Sequence, residues 1–255
     1  MKKKLGLTLC LALIFGLVRA DQINLAEDDA SQGPIDTGKK SGIGFGEWKL
    51  LTEGNDDHRH SGSFIASSEN NKDLNGIAQN GKAWGLFANG TGFEQAVAFR
   101  AFSEPLAIGD SFSFLMESGR IEKKFDTDEP ALGSIGLTLR TSNAADTPAD
   151  YRKDAVFEFS YEEGKDNYQI HDGTGADQAD SGIPCTDSGV IVTVTITGAD
   201  TYDLEIQTAA DKKLTKLPGR RLARAGAITS LAIFNRDGEK TDAFFDGLQV
   251  ARAAE

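Results

Sequence analysis

Apolar and polar residues alternate with a period of two along most of the chain from Phe45 onward. In residues 190–197 the even-numbered positions are valine or isoleucine, and the odd-numbered positions from 193 onward are threonine. A turn at Gly198, Ala199 and Asp200 follows, and residues 202–207 alternate again. This pattern predicts an antiparallel hairpin with one buried and one solvent-facing side.

Weaker alternation and short apolar runs predict further strands, separated by turns rich in Gly, Asn, Asp and Pro. One short helix is predicted, at residues 220–225. Roughly eleven strands without substantial helix indicate an all-β fold, a two-sheet antiparallel sandwich, because each half-apolar sheet must cover its apolar face. The further strands are predicted at residues 45–52, 62–67, 83–88, 95–103, 111–114, 135–140, 157–162, 166–171, 229–235 and 241–250.

The first twenty residues have the pattern of a signal peptide. Three lysines precede an apolar run at residues 5–18, which ends in the cleavage-type sequence Val-Arg-Ala. The run is shorter than the roughly 20 apolar residues of a spanning helix. We therefore expect export to the periplasm, cell surface or medium, with no membrane insertion. Residues 21–43 are acidic with Gly and Ser and are expected to be flexible, and residues 44–255 to form a single sandwich domain.

The net negative charge disfavours some classes of binding partner. The formal net charge is −12, and loss of the four cations in the signal peptide makes it about −16. Binding to nucleic acid is disfavoured, because that binding depends on a positive surface. Of the two cysteines, Cys10 lies in the signal peptide, so Cys185 has no partner for an intramolecular disulfide and is expected to pack as a small apolar residue.

Eight short motifs, spread over nearly the whole mature chain, resemble a jelly-roll module of exported bacterial proteins, of the concanavalin A-like lectin/glucanase type. That resemblance implies a jelly-roll sandwich that binds a glycan or surface polymer in a concave sheet or in the loops at one end. The motifs are residues 44–48 (GFGEW), 63–68 (SFIASS), 82–89 (KAWGLFAN), 98–102 (AFRAF), 108–114 (IGDSFSF), 156–161 (VFEFSY), 167–173 (NYQIHDG) and 244–250 (FFDGLQV).

The glucanase branch of that superfamily uses two glutamates on one strand with an aspartate between them. Glu158 and Glu162 share strand parity here, but Ser160 stands between them, and both are expected to be solvent-facing carboxylates. The expectation is therefore a non-catalytic lectin-like protein, monomeric or weakly associated. The alternatives are a structural or adhesive protein that contacts other proteins, and an atypical polysaccharide hydrolase.

Sugar rings stack on exposed aromatic side chains, which directs attention to the tyrosines. Tyr151 lies in a polar stretch and is expected to be exposed, and Tyr168 is expected on a sheet face beside His171. Trp48 and Trp84 lie in apolar strands and are assigned to the core.

Cations are concentrated in residues 212–224, where Arg220 and Arg221 are candidates for binding an acidic polysaccharide. The other interpretation is that acidic neighbours neutralise this run.

Two acidic turns and one histidine pair are candidate metal sites. Asp172, Asp177 and Asp180 lie in a Gly-rich loop that could hold a structural calcium ion, or form an acidic turn without metal. Residues 126–129 are the second acidic turn, which could likewise hold calcium or contain no metal. His58 and His60 could begin a metal site or lie in a solvated loop.

Overall fold

The computed structural model describes residues 22–54, 60–89, 93–118, 133–238 and 241–254. Within these residues the chain forms fifteen β-strands. They are β1 (Gln22–Asp28), β2 (Phe45–Glu53), β3 (Ser61–Ser67), β4 (Lys82–Ala88), β5 (Gln95–Leu106), β6 (Asp110–Ser118), β7 (Ser134–Arg140), β8 (Ala155–Glu162), β9 (Asn167–His171), β10 (Asp180–Pro184), β11 (Val190–Ile196), β12 (Thr201–Thr208), β13 (Leu214–Arg221), β14 (Ile228–Arg236) and β15 (Ala243–Ala253).

The strands form two antiparallel sheets, which confirms the predicted all-β sandwich. The eight-stranded sheet has the order β13-β12-β11-β6-β15-β4-β3, with β1 also paired to β15. The seven-stranded sheet has the order β10-β9-β8-β7-β14-β5-β2. The predicted hairpin is β11–β12, in which Val192 lies opposite Ile206 and Val194 opposite Leu204. Alternation therefore identified both strands and their buried side.

The main core lies between the sheets and takes apolar residues from both. Trp48 and Trp84 are buried there, as predicted, with ring centroids 5.5 Å apart in an edge-to-face contact. Cys185 packs against the same core. On the outer face of the seven-stranded sheet, a second apolar cluster joins Tyr151 and Phe234 to residues of β5.

The expected flexibility of residues 21–43 is wrong for the part of this segment that is described. β1 pairs with the second half of β15, and Ala26, Ala30 and Ile35 enter the main core. Gly44 has φ +72° and passes so close to β1 that a Cβ atom there would lie 2.4 Å from the Cβ of Ala26. The segment is therefore part of the sandwich.

Two other expectations also need correction. Residues 220–225 were predicted to be helical, but β13 extends to Arg221 because it pairs with β12. The strand estimate is low because β1, β10 and β13 lack a clear apolar alternation. Helical structure in the described ranges consists of short 3-10 turns, none long and apolar enough to cross a membrane.

Candidate functional site

Four polar side chains meet on the outer face of the seven-stranded sheet. Glu158 and Glu162 of β8 alternate with Phe157, Phe159 and Tyr161, which enter the core, so both glutamates point outward. His171 of β9 lies directly opposite Glu158. Its Nε2 is 2.7 Å from Glu162 Oε1. With Arg152, these residues form what we call the outer-face cluster.

Arg152 reaches the cluster because residues 141–154 fold back over the sheet. The buried Arg140 of β7 holds this segment, donating hydrogen bonds to the carbonyl oxygens of Lys153 (3.1 Å) and Ala144 (2.7 Å). The Arg152 guanidinium then donates two hydrogen bonds to Glu158, at 3.2 and 2.9 Å. Its distance to Glu162 Oε1 is 4.0 Å.

One side of the outer-face cluster is buried and the other is exposed to solvent. The side chain of Glu158 is 4 % exposed, whereas those of Arg152 and His171 are 48 % and 44 % exposed. The hydrogen bond from His171 lowers the pKa of Glu162, and the same contact raises the pKa of His171. Donors and acceptors of opposite charge therefore lie side by side at the surface.

The expected exposure of Tyr151 is wrong. The residue is buried, and its ring centroid lies 4.4 Å from that of Phe234, because the fold-back of residues 141–154 places it against the outer apolar cluster. Tyr168 is also fully buried and stacks on Phe159 at 5.1 Å, on the core side of β9, although His171 faces outward. Neither ring presents a face to a ligand.

The side chain of Arg220 is buried, whereas that of Arg221 is exposed. The Arg220 side chain is 6 % exposed and donates to Asp172 (2.7 Å), the Tyr202 hydroxyl (3.2 Å) and the carbonyl of Gln178 (3.1 Å). Arg220 is therefore a structural ion-pair partner, and its expected role as an open cation is wrong. Arg221 is exposed and contacts Asp200 at 2.8 Å.

The cation-rich run is neutralised by carboxylates, the second of the two interpretations. Four of its cations each contact one acidic residue: Lys216 with Glu205, Arg220 with Asp172, Arg221 with Asp200 and Arg224 with Asp154.

The fold does not bring Asp172, Asp177 and Asp180 together as calcium ligands. The Asp172 carboxylate is buried and holds Arg220, Tyr202 and Thr174, so calcium binding there would displace a buried guanidinium. Asp180 instead accepts hydrogen bonds from Asn167, and Asp177 is exposed. These residues do not fit the predicted ion. Residues 126–129 and His58 lie outside the described ranges.

Sequence reasoning missed Arg152. It expected Glu158 and Glu162 to be solvent-facing carboxylates, which is wrong for Glu158, because its side chain is buried against Arg152, whereas Glu162 is partly exposed. The sequence did contain one signal of this site: Glu158 and Glu162 are an even number of residues apart on β8 and therefore lie on the same face of the strand. Their contacts with His171 and Arg152 depend on the β8–β9 register and on the folded-back segment, which no local pattern encodes.

No protein-family model matches the sequence, and no curated protein matches it. Solved structures are similar at about 10 % identity. A carbohydrate esterase of the Shiga toxin-encoding bacteriophage phi24B has 10 % identity and a TM-score of 0.49, over 91 % of this chain and 100 % of that one. The exoplasmic/lumenal domain of VIP36, bound to Ca²⁺ and Man3GlcNAc, has 9 % identity and a TM-score of 0.45, over 82 % and 84 %.

The legume lectin-like domain from Entamoeba histolytica has 10 % identity and a TM-score of 0.44, over 75 % of this chain and 90 % of that one. Lectin-like sandwiches are thus among the neighbours, as the sequence motifs implied. Likeness at this level concerns the class of fold and says nothing about a ligand.

Proposed function

We propose that this protein is an exported, non-catalytic, lectin-like β-sandwich that binds a glycan through the outer-face cluster. The observation that carries the proposal is the half-exposed placement of Arg152 and His171 beside the carboxylate of Glu162. The predicted signal peptide supports export.

The cluster suits hydroxyl groups because it offers both kinds of hydrogen-bonding partner. Each sugar hydroxyl donates one hydrogen bond and accepts others. Glu162 accepts, the Arg152 guanidinium donates, and His171 contributes a ring nitrogen. Hydrogen bonds to charged groups are stronger than those between neutral groups, so two adjacent hydroxyls can bind without help from a large apolar surface.

Recognition must depend on such polar contacts, because the aromatic residues that usually stack on sugars are inside. All four tyrosines and both tryptophans of the chain are buried. This arrangement favours a shallow contact with a few hydroxyl groups, and hence modest affinity for a single sugar unit, strengthened when a polymer presents many units.

The same contacts argue against glycoside hydrolysis. A glycosidase needs one carboxyl group that keeps its proton for donation to the leaving oxygen. Both oxygens of Glu158 accept hydrogen bonds from Arg152, and the contact with His171 lowers the pKa of Glu162. Neither residue has the environment of a general acid.

The experiment is a binding screen of the purified protein against neutral and acidic polysaccharides, with reducing-sugar release measured in parallel. We expect saturable binding to at least one class, without hydrolysis. His171→Ala and Glu162→Gln should weaken that binding. The matched control Arg221→Ala removes an exposed cation at a different place and should bind normally. Equal binding by all variants, or hydrolysis abolished by Glu162→Gln, would contradict the proposal.

A protein-contact role is the second candidate, favoured by exposed apolar residues near β1. Ile23, Leu25 and Ile43 are 53 %, 36 % and 59 % exposed, and Ile43 forms a bridge with Glu27 of that strand. If this surface associates with a second copy, light scattering should show concentration-dependent dimers that Ile23→Ser with Leu25→Ser abolishes. A monomer at all concentrations would argue against self-association.

A further inference from the structure

We propose that residues 72–78 form a pH-sensitive cover on the outer face of the eight-stranded sheet, which opens as the pH rises and exposes the apolar surface beneath it. The outer-face cluster lies on the other sheet of the sandwich. The inference therefore goes beyond glycan recognition and does not depend on it, since opening is measured with no glycan present.

The cover packs through two apolar side chains onto a separate apolar cluster. Leu115 of β6 alternates with Phe114 and Met116, which enter the main core, so Leu115 points outward. Leu74 and Ile77 of the cover are 0 % and 1 % exposed and pack in the cluster that contains Leu115. Opening of the cover would expose this surface, to which residues of β11 and β15 also contribute.

The cover can open without disrupting the sheet, because its backbone hydrogen bonds are local. The amides of Ile77 and Ala78 both donate to the carbonyl oxygen of Leu74, at 3.0 and 2.7 Å. Just after the cover, the amide of Gln79 donates to the carboxylate of Asp246 in β15 and fixes that end. Short segments with local hydrogen bonds are the parts of a protein that open most readily.

Glu117 of β6 lies beneath the cover. It is two residues beyond Leu115 on the same face of the strand, and it is 3 % exposed. Its position is seen at Gly189, where a Cβ atom would lie 2.6 Å from Cγ2 of Ile77 and 3.0 Å from Cβ of Glu117. The cover therefore helps to exclude water from this carboxyl group.

Carboxyl groups from three elements face Glu117. Asp73 belongs to the cover, Asp187 to the turn before β11, and Asp242 to the segment before β15. Burial and these charges raise the pKa of Glu117 to about 8, and burial also raises the pKa of Asp242. On the core side, Tyr168 of β9 interacts electrostatically with Glu117, but burial raises the pKa of its phenol, which stays neutral.

The closed cover therefore suits protonated Glu117, whereas the ionised carboxylate repels Asp73 and lacks water. In the open state the group meets water, and its pKa returns toward the ordinary value of 4.5. Between these two values opening releases a proton. The opening equilibrium constant should therefore rise by up to about tenfold per pH unit in this window and level off above it.

The test is amide hydrogen exchange of the parent protein and of Glu117→Gln at pH 5, 7 and 9, without glycan. Dividing the rate of an unstructured chain at the same pH by each measured rate gives a protection factor. At the amides of Ile77 and Ala78, the parent-to-variant ratio of protection factors should fall by about tenfold or more from pH 5 to pH 9. Asp246 is present in both proteins, so its own titration cancels in this ratio.

Two comparisons separate opening of the cover from unfolding of the whole protein. Amides of the cover should have protection factors about tenfold or more below those of Val192 and Val194 in β11. The control Asp177→Asn removes an exposed carboxylate elsewhere and should keep the pH profile of the parent protein. A ratio independent of pH, equal protection of the cover and β11, or an altered profile in the control would overturn the proposal.

A second variant keeps the test decisive if Glu117→Gln folds poorly. Asp73→Asn removes only an exposed charge of the cover. Because Glu117 is charged at pH 9 but not at pH 5, the gain in protection at the cover should be about twofold or more larger at pH 9. An equal gain at both pH values, or no gain, would also overturn the proposal. Since no sugar is present, failure here leaves glycan recognition unaffected.

Discussion

Arg100 of β5 and Asp28 of β1 form an ion pair whose side chains are both 0 % exposed. The guanidinium also lies over the rings of Phe45 and Trp48, at 4.7 and 4.6 Å, and donates to the carbonyl of Gly46 at 3.1 Å. Burial lowers the pKa of Arg100, an effect that its hydrogen bond to Asp28 opposes. The N-terminal segment therefore supplies the counter-charge of a cation inside the sandwich.

Asp28→Ala should destabilise the protein strongly. It leaves the Arg100 guanidinium buried without its carboxylate, which costs roughly 3–5 kcal/mol. Urea denaturation gives the free energy of unfolding. The control Glu27→Gln changes an exposed carboxylate on the same strand and should cost less than about 1 kcal/mol. If both variants were equally stable, the N-terminal segment would not be an integral part of the sandwich.

Tyr151 should behave as a core residue in denaturation experiments. Its ring packs on Phe234, so Tyr151→Ala should cost about 3–5 kcal/mol of unfolding free energy. Tyr151→Phe removes only the hydroxyl and keeps the ring packing, so it should cost about 1 kcal/mol or less. Loss of glycan binding in Tyr151→Phe without loss of stability would show instead that the hydroxyl reaches a ligand.

Alanine substitutions of the neighbouring Arg220 and Arg221 should differ sharply in their effect on the free energy of unfolding. Arg220→Ala leaves the buried carboxylate of Asp172 without its counter-charge and should destabilise the fold by roughly 3–5 kcal/mol. Arg221 is exposed, so Arg221→Ala should cost under about 1 kcal/mol. Thermal and urea unfolding of the two variants provide the comparison. Similar stability would contradict the different roles assigned to them.

Period-two alternation predicted β11 and β12 because their apolar positions all face one core. Alternation did not predict β1, because its large apolar residues are limited to Ile23 and Leu25, which face solvent, while Asp28 is buried. The position of Tyr151 depends on hydrogen bonds from Arg140 to main-chain carbonyls, which leave no trace in sequence periodicity. Long-range pairing of charges also decided which candidate site residues are accessible.

Stability should depend on pH through Glu117. Burial, together with the negative charges of Asp187, Asp73 and Asp242, raises the pKa of this carboxyl from 4.5 to about 8. Between those values the folded state holds a proton that the unfolded state has lost, so the free energy of unfolding falls as pH rises through this window. Glu117→Gln has no such proton to lose and should be more stable than the parent protein by roughly 1–3 kcal/mol at pH 9.

Urea denaturation of both proteins at pH 5, 7 and 9 measures this difference. Burial also raises the pKa of Asp246, to about 7, but that residue is present in both proteins and its effect cancels in the comparison. Parallel pH profiles would show that Glu117 keeps its ordinary pKa.

The central claim is that the outer-face cluster binds glycan. It is tested most directly by titrating isotopically labelled protein with an oligosaccharide that binds in the screen, and by following the backbone amide chemical shifts by NMR. The account predicts saturable shifts of residues in β8 and β9 and near Arg152, which are absent in His171→Ala. Shifts confined to the residues that line the apolar cavity at Ile108 and Leu222, with none at Glu162 or His171, would contradict it.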